Sequence, residues 1–165
     1  MSETAREYTE RLFNNVGSSD PLEIMAGTPS RVQAVLSKLE GKGSARESSS
    51  GKWAASQIVA HFAEGEIVLA YRLRRILAGS GQTIEGYDQD EWVKNSGYLQ
   101  ADLQLAYSLF EIVRKSNVAL IRSLTPEQMA FYGLHSERGK ESISHLTRLY
   151  AGHDINHLKQ LEAML

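Results

Sequence analysis

From Leu99 onward, Leu103, Ala106, Phe110, Val113, Asn117, Leu120 and Leu124 follow at alternating intervals of four and three. Apolar side chains at that interval line one face of an α-helix, the seam along which bundle helices pack. One helix cannot bury such a seam alone, so the chain must supply partners. Three other segments qualify. From Thr28, the residues Val32, Val35, Leu36 and Leu39 form a helical stripe that Gly41-Lys-Gly43 ends. From about Ala54 to Ala78 run Ile58, Val59, Phe62, Val68, Leu69, Leu73, Ile76 and Leu77, before Gly79-Ser-Gly81. From about Ser142 to Leu165, the residues Leu146, Tyr150, His153, His157, Leu161 and Met164 share a broad face. No strand-like alternation of useful length and no internal repeat interrupts them. The expectation is an all-α fold, a four-helix bundle forming one domain over residues 1–165.

The connections suggest its topology. Asp20-Pro21, Thr28-Pro29 and Thr125-Pro126 each place proline after a good N-cap residue, so each reads as a helix start. Residues 3–16 are weakly amphipathic, and residues 21–26 make one turn. A polar Ser/Gly loop covers Ser44 to Lys52. Residues 80–97 form a loop long enough to carry the chain back along the bundle. The second and third long helices then run parallel, giving an up-down-down-up arrangement with a long crossover between them.

Composition narrows the function. The formal net charge is −2 and no basic stripe is present, which argues against nucleic acid and anionic membrane surfaces as partners. Cysteine is absent, which removes disulfides and any thiol nucleophile of the chain's own. The start of the sequence is polar and no run approaches the length of a membrane helix, so a cytoplasmic location is expected.

His153 and His157 are four apart and project from one helix face. His61 lies on an inward face near the start of the second long helix. Antiparallel packing of the second and fourth helices brings the three to one level. Three neutral imidazoles suit Zn²⁺, Ni²⁺ or Fe²⁺ and leave a position open for water or substrate. Glu64, one turn from His61, is a candidate general base, fourth ligand or acceptor behind a ligand. His145 sits about 80° around the helix from His153 and is expected on the surface. His135 is expected to be structural. Asn117 reads as a core amide fixing register or as a group facing the site. Asp154 reads as a solvent-facing or interface residue. Asp88 and Asp90 either line the site's mouth or are solvated charges of the loop. Arg72, Arg74 and Arg75 form an outer helix face or bind an anionic cosubstrate.

These residues lie within stretches that resemble the DinB/YfiT-like metalloenzymes. The resemblance is carried by Asp20-Pro-Leu-Glu-Ile-Met-Ala-Gly-Thr-Pro29, Gly51 through Glu66 and the Gly86–Trp92 loop. It is strongest in Gly133-Leu-His-Ser-Glu-Arg-Gly139 and Gly152-His-Asp-Ile-Asn-His-Leu-Lys-Gln160. It implies an up-down-down-up bundle, a histidine triad at His61, His153 and His157, and a homodimer. Characterised relatives include transferases that use low-molecular-weight thiols such as bacillithiol, mycothiol and glutathione. The functional expectation is a divalent-metal-binding protein that activates such a thiol or water against a small-molecule substrate, as a thiol S-transferase or hydrolase. The alternative is a non-catalytic metal- or ligand-binding bundle of a stress response. Ala54 stands where the family often has serine, which removes a helix N-cap side chain.

Overall fold

A computed structural model describes residues 3–40, 52–98 and 102–165. The helix end expected at Gly41-Lys-Gly43, nearly all of the Ser44–Lys52 loop and the helix start expected at Leu99 lie outside the described residues. Four long helices carry the fold: α2 (Pro21–Glu40), α3 (Ala55–Ala78), α5 (Leu103–Arg122) and α7 (Ile143–Glu162). Shorter helices α1 (Ala5–Val16), α4 (Gln89–Asn95) and α6 (Pro126–Met129) lie between or before them.

Two apolar clusters fix the direction of each long helix. One joins Leu36 and Leu39 of α2 to Ile58 and Phe62 of α3, Phe110 of α5 and Leu161 of α7. The other joins Met25 of α2 to Leu73 and Ile76 of α3, Ile121 of α5 and Leu146 of α7. Thus α3 and α5 run from the first cluster to the second, while α2 and α7 run the opposite way. The bundle is up-down-down-up, as the long crossover predicts.

Three departures from the sequence reading have local causes. First, α2 is continuous from Pro21 to Glu40, with Pro29 inside it rather than at its start. Second, the buried stripe of α5 includes Tyr107, Arg114 and Ile121, so it shares Leu103, Phe110 and Asn117 with the expected seam but is turned by one position elsewhere. Third, the chain contains strands. β1 (Gln82–Ile84) pairs parallel with β2 (Tyr132–His135), which pairs antiparallel with β3 (Gly139–Ser142). Strands of three or four residues are too short for a period-two pattern to register. The small sheet ties the crossover to the segment before α7, with Ile84 fully buried.

At the start of α3, Ala54 occupies the N-cap and makes no side-chain cap. Gln57 reaches back to accept from the Ala54 N–H at 2.8 Å, which satisfies one end-group that a serine would not have reached. Among the described residues, no helix is long and apolar enough to cross a membrane.

Candidate metal centre

His61 is supplied by α3 and the other two histidines by α7. Because α3 and α7 are antiparallel, the beginning of one meets the second half of the other. The ligand-capable nitrogens of His61, His153 and His157 lie within 4.8 Å of one another. His61 Nε2 and His153 Nε2 face each other at 2.8 Å, and the His153 and His157 ring centroids are 4.4 Å apart.

Aromatic rings pack against the cluster and leave His153 partly exposed. Trp53 stacks parallel on His157 at 5.8 Å and meets His61 edge-on at 5.0 Å. Phe62 presents its ring edge-on to His153 and His157. Burial therefore dominates the electrostatics. It pushes the His61 pKa down to about 3, with the nearby His157 adding to the effect. It lowers His157 to about 4 and His153 well below its ordinary value, the latter reinforced by His157 and His61. All three rings are neutral at pH 7 and keep a lone pair for a ligand. Gln160, one turn beyond His157, lies with Oε1 2.7 Å from His157 Nδ1. A proton on Nδ1 donated to that carbonyl leaves Nε2 as the free lone pair, a familiar way of orienting a ligating imidazole. Three neutral imidazoles with one ring oriented from behind fit a divalent transition metal by donor type and charge.

The remaining candidates fall elsewhere. Glu64 accepts a hydrogen bond from the Tyr98 hydroxyl, and its carboxylate is not in the cluster of ligand-capable atoms. Burial and Glu64 together raise the Tyr98 pKa. Asp88 caps α4, accepting from the Asp90 and Glu91 N–H groups at 3.0 Å. His145 is half-buried rather than on the surface, against the Phe13 ring at 4.9 Å. Asp154 is fully buried, not solvent-facing. It forms an ion pair with Arg114, which also meets Glu66 at 2.8 Å. Asn117 is the core amide, donating to the Glu66 carbonyl at 3.0 Å and to its carboxylate at 2.9 Å. Of the three arginines, Arg74 is exposed, but Arg72 is buried.

A cavity of about 560 Å³ adjoins His153. Its wall combines Gly65 and Arg72 of α3, Tyr150 of α7, Tyr87 from the crossover and His135 from β2. Sequence reasoning assigned no site role to Trp53, Gln160, Tyr98 or Tyr150. Gln160, three residues after His157, was the one with a readable signal.

Fold and site together define a helical bundle with a buried three-histidine centre. Residues 24–161 match the DinB superfamily, and the chain belongs to that family. It is 29% identical over 115 residues to an Oceanobacillus iheyensis protein named "putative metal-dependent hydrolase", a match covering 70% of this chain and 66% of that protein. The chain thus spans just under two thirds of that relative. A Halalkalibacterium halodurans protein of the same name is 24% identical over 140 residues, covering 83% of this chain and 80% of its own. In structure the chain is similar to YfiT from Bacillus subtilis, described as "a probable metal-dependent hydrolase with an unusual four-helix bundle topology". That likeness has a TM-score of 0.77 at 18% identity and covers 99% of this chain and 90% of YfiT, which shows the shared fold.

Proposed function

We propose that the chain binds one divalent metal ion, Zn²⁺, Ni²⁺ or Fe²⁺, through His61, His153 and His157, and acts as a metal-dependent enzyme of hydrolase type on a small molecule. The observation that carries this reading is the convergence of three neutral ring nitrogens beside an open cavity. A closed structural site would have no such access. A divalent ion held there would acidify a bound water or thiol and polarise an electrophile. The protein's own groups do the rest. Gln160 orients His157, Trp53 and Phe62 pack against the rings, and Glu64, one helical turn from His61 and hydrogen-bonded by Tyr98, is the candidate proton acceptor.

The nucleophile is water or a low-molecular-weight thiol. The cavity is far larger than the roughly 30 Å³ of one water, so it has room for a thiol cosubstrate and an acceptor. The chain has no cysteine, so that thiol must come from outside. The homodimer that the family resemblance implies would use the exposed apolar residues Leu105, Leu109 and Ile112 on α5. The test of function is turnover of activated esters and amides, with and without a panel of small thiols, by metal-loaded and metal-stripped protein. Metal-dependent hydrolysis without thiol supports the hydrolase reading. A thiol requirement moves it to transfer. Metal uptake with no turnover across the panel favours the ligand-binding alternative.

A further inference from the structure

Among the described residues, two arginines are almost fully buried, and they are treated differently. Arg114, 1% exposed, is matched by Glu66 and Asp154. Arg72, 4% exposed, forms no ion pair with any carboxylate among the described residues. Its Nη2 donates to the Glu85 carbonyl, and its Nε has no hydrogen-bond partner. A buried guanidinium without a counter-ion is costly, and arginine is rarely so buried unless paired. Arg72 lines the 560 Å³ cavity.

His135, also 4% exposed, makes the mismatch sharper. Its Nε2 lies 3.3 Å from Arg72 Nη2. Its Nδ1 accepts from the Glu137 N–H at 3.1 Å and from the Arg138 N–H at 3.4 Å. Two backbone donors at Nδ1 put the ring proton of a neutral imidazole on Nε2. That N–H then faces the guanidinium, donor against donor, inside a cavity. The Glu85 carbonyl meets only one of the guanidinium's donors, the Arg72 Nε–H and the His135 Nε2–H lack an acceptor, and an anion would serve both. Carboxylates on the cavity wall, Glu3, Asp88 and Glu137, are exposed at its rim; Glu3 is already tied to Arg11 and Asp88 to the α4 amides. Gly86 keeps the space open, since a Cβ there would come within 3.2 Å of the His135 ring.

We propose that Arg72 and His135 form an oxyanion-binding subsite, which clamps a carboxylate or phosphate group at the end of the cavity remote from the three histidines. Arg72 follows His61 by three helical turns on nearly the same face of α3, about 16 Å along the axis. The substrate is therefore an elongated anion, with its charged group several bonds from the atom that reacts. The assignment to substrate rests on the proposed metal-dependent function; the anion site itself does not.

The experiment follows the Arg72 Nε–H and the Glu137 and Arg138 backbone amides that donate to His135 by ¹H–¹⁵N NMR in the metal-free chain, the amides reading the Arg72 variants as well. Sodium phosphate and sodium glutarate are titrated separately, with glycerol as a neutral control. The expected result is a saturable shift with one or both anions and none with glycerol. The stronger anion identifies the group as phosphate or carboxylate. Arg72→Lys should weaken binding about tenfold or more, because a single ammonium cannot replace the fork. His135→Phe should weaken it too. No shift with either anion, or unchanged affinity in Arg72→Gln, overturns the proposal. A wild-type chain that shows the shift but takes up no metal loses the metal reading and keeps this one. Metal uptake with no shift does the reverse.

Discussion

Arg114 Nη1 donates to the Met25 carbonyl at 2.9 Å, the oxygen that Pro29 leaves without a helical N–H. Proline within a helix removes the hydrogen bond to the carbonyl four residues back and normally kinks or breaks it. Here α5 repairs the gap in α2. The same guanidinium holds Glu66 of α3 and Asp154 of α7, so one buried side chain ties all four long helices. Asp154 is the neighbour of His153, so this tie also fixes the level at which α7 delivers its histidines.

Breaking the tie should be costly. Arg114→Leu leaves two buried carboxylates without a counter-charge and the Met25 carbonyl without its donor, while Asp154→Asn removes one charge of the set. Removing one partner of a buried ion pair costs about 3–5 kcal/mol. Urea unfolding should show a loss of that size for Arg114→Leu and a smaller one for Asp154→Asn. A change under 1 kcal/mol in both would deny the network its structural role.

Helix α1 crosses α7 at Gly152, where an added Cβ would lie 2.2 Å from the Leu12 carbonyl oxygen. The backbone cannot yield as a flexible side chain would. Gly152→Ala should destabilise the fold by about 1–3 kcal/mol or detach α1. Hydrogen exchange over residues 5–16 distinguishes these outcomes. Wild-type stability with α1 still protected would contradict the packing.

The metal-free protein should lose stability as acid is added, starting at a higher pH than carboxylates alone would require. Free histidine titrates near 6.5, whereas burial holds His61 near 3 and His157 and His135 near 4. Below pH 6.5 the unfolded chain takes up protons that the folded chain refuses, so stability falls as pH falls from 6.5 toward 4. Each such histidine contributes up to about 1.4 kcal/mol per pH unit in that window. Denaturant titrations at pH 7.5 and 5.5 should show a smaller drop for His61→Ala than for the wild type. Equal drops would mean that His61 is not held neutral by burial.

Much of this arrangement is legible in the sequence, and the misses have physical reasons. Helical spacing places His153 beside His157, and the long crossover implies the antiparallel meeting with His61. Arg114 was invisible as a core residue because a charged side chain does not score as apolar. Its presence turned the expected α5 seam by one position at Tyr107 and Ile121. Pro29 resembled a helix start because nothing local reveals a distant donor to Met25. Asp154 reads as outward-facing, and Arg72 as either outward-facing or anion-binding, for the same reason, since burial of a charge depends on partners far away in sequence. The β1–β2 pairing joins residues about fifty apart and leaves no local pattern.

Gln160 offers a test of the site's geometry apart from its ligands. Gln160→Ala removes the acceptor behind His157 and frees its ring to turn. Loss of such a partner typically weakens metal affinity 10–100-fold. A competition titration against a zinc-binding dye should find a loss in that range with folding intact. An unchanged affinity would mean that His157 is oriented by Trp53 stacking alone.

The central claim is tested most directly by counting metal. Untagged wild-type chain is incubated with Zn²⁺, Ni²⁺ or Fe²⁺, desalted and analysed by inductively coupled plasma mass spectrometry. The three-histidine centre predicts about one ion per chain for at least one of these metals, strong loss in His61→Ala, His153→Ala or His157→Ala, and no loss in His145→Ala. Substoichiometric metal in the wild type with every ion, or equal retention in the three histidine variants, would contradict it.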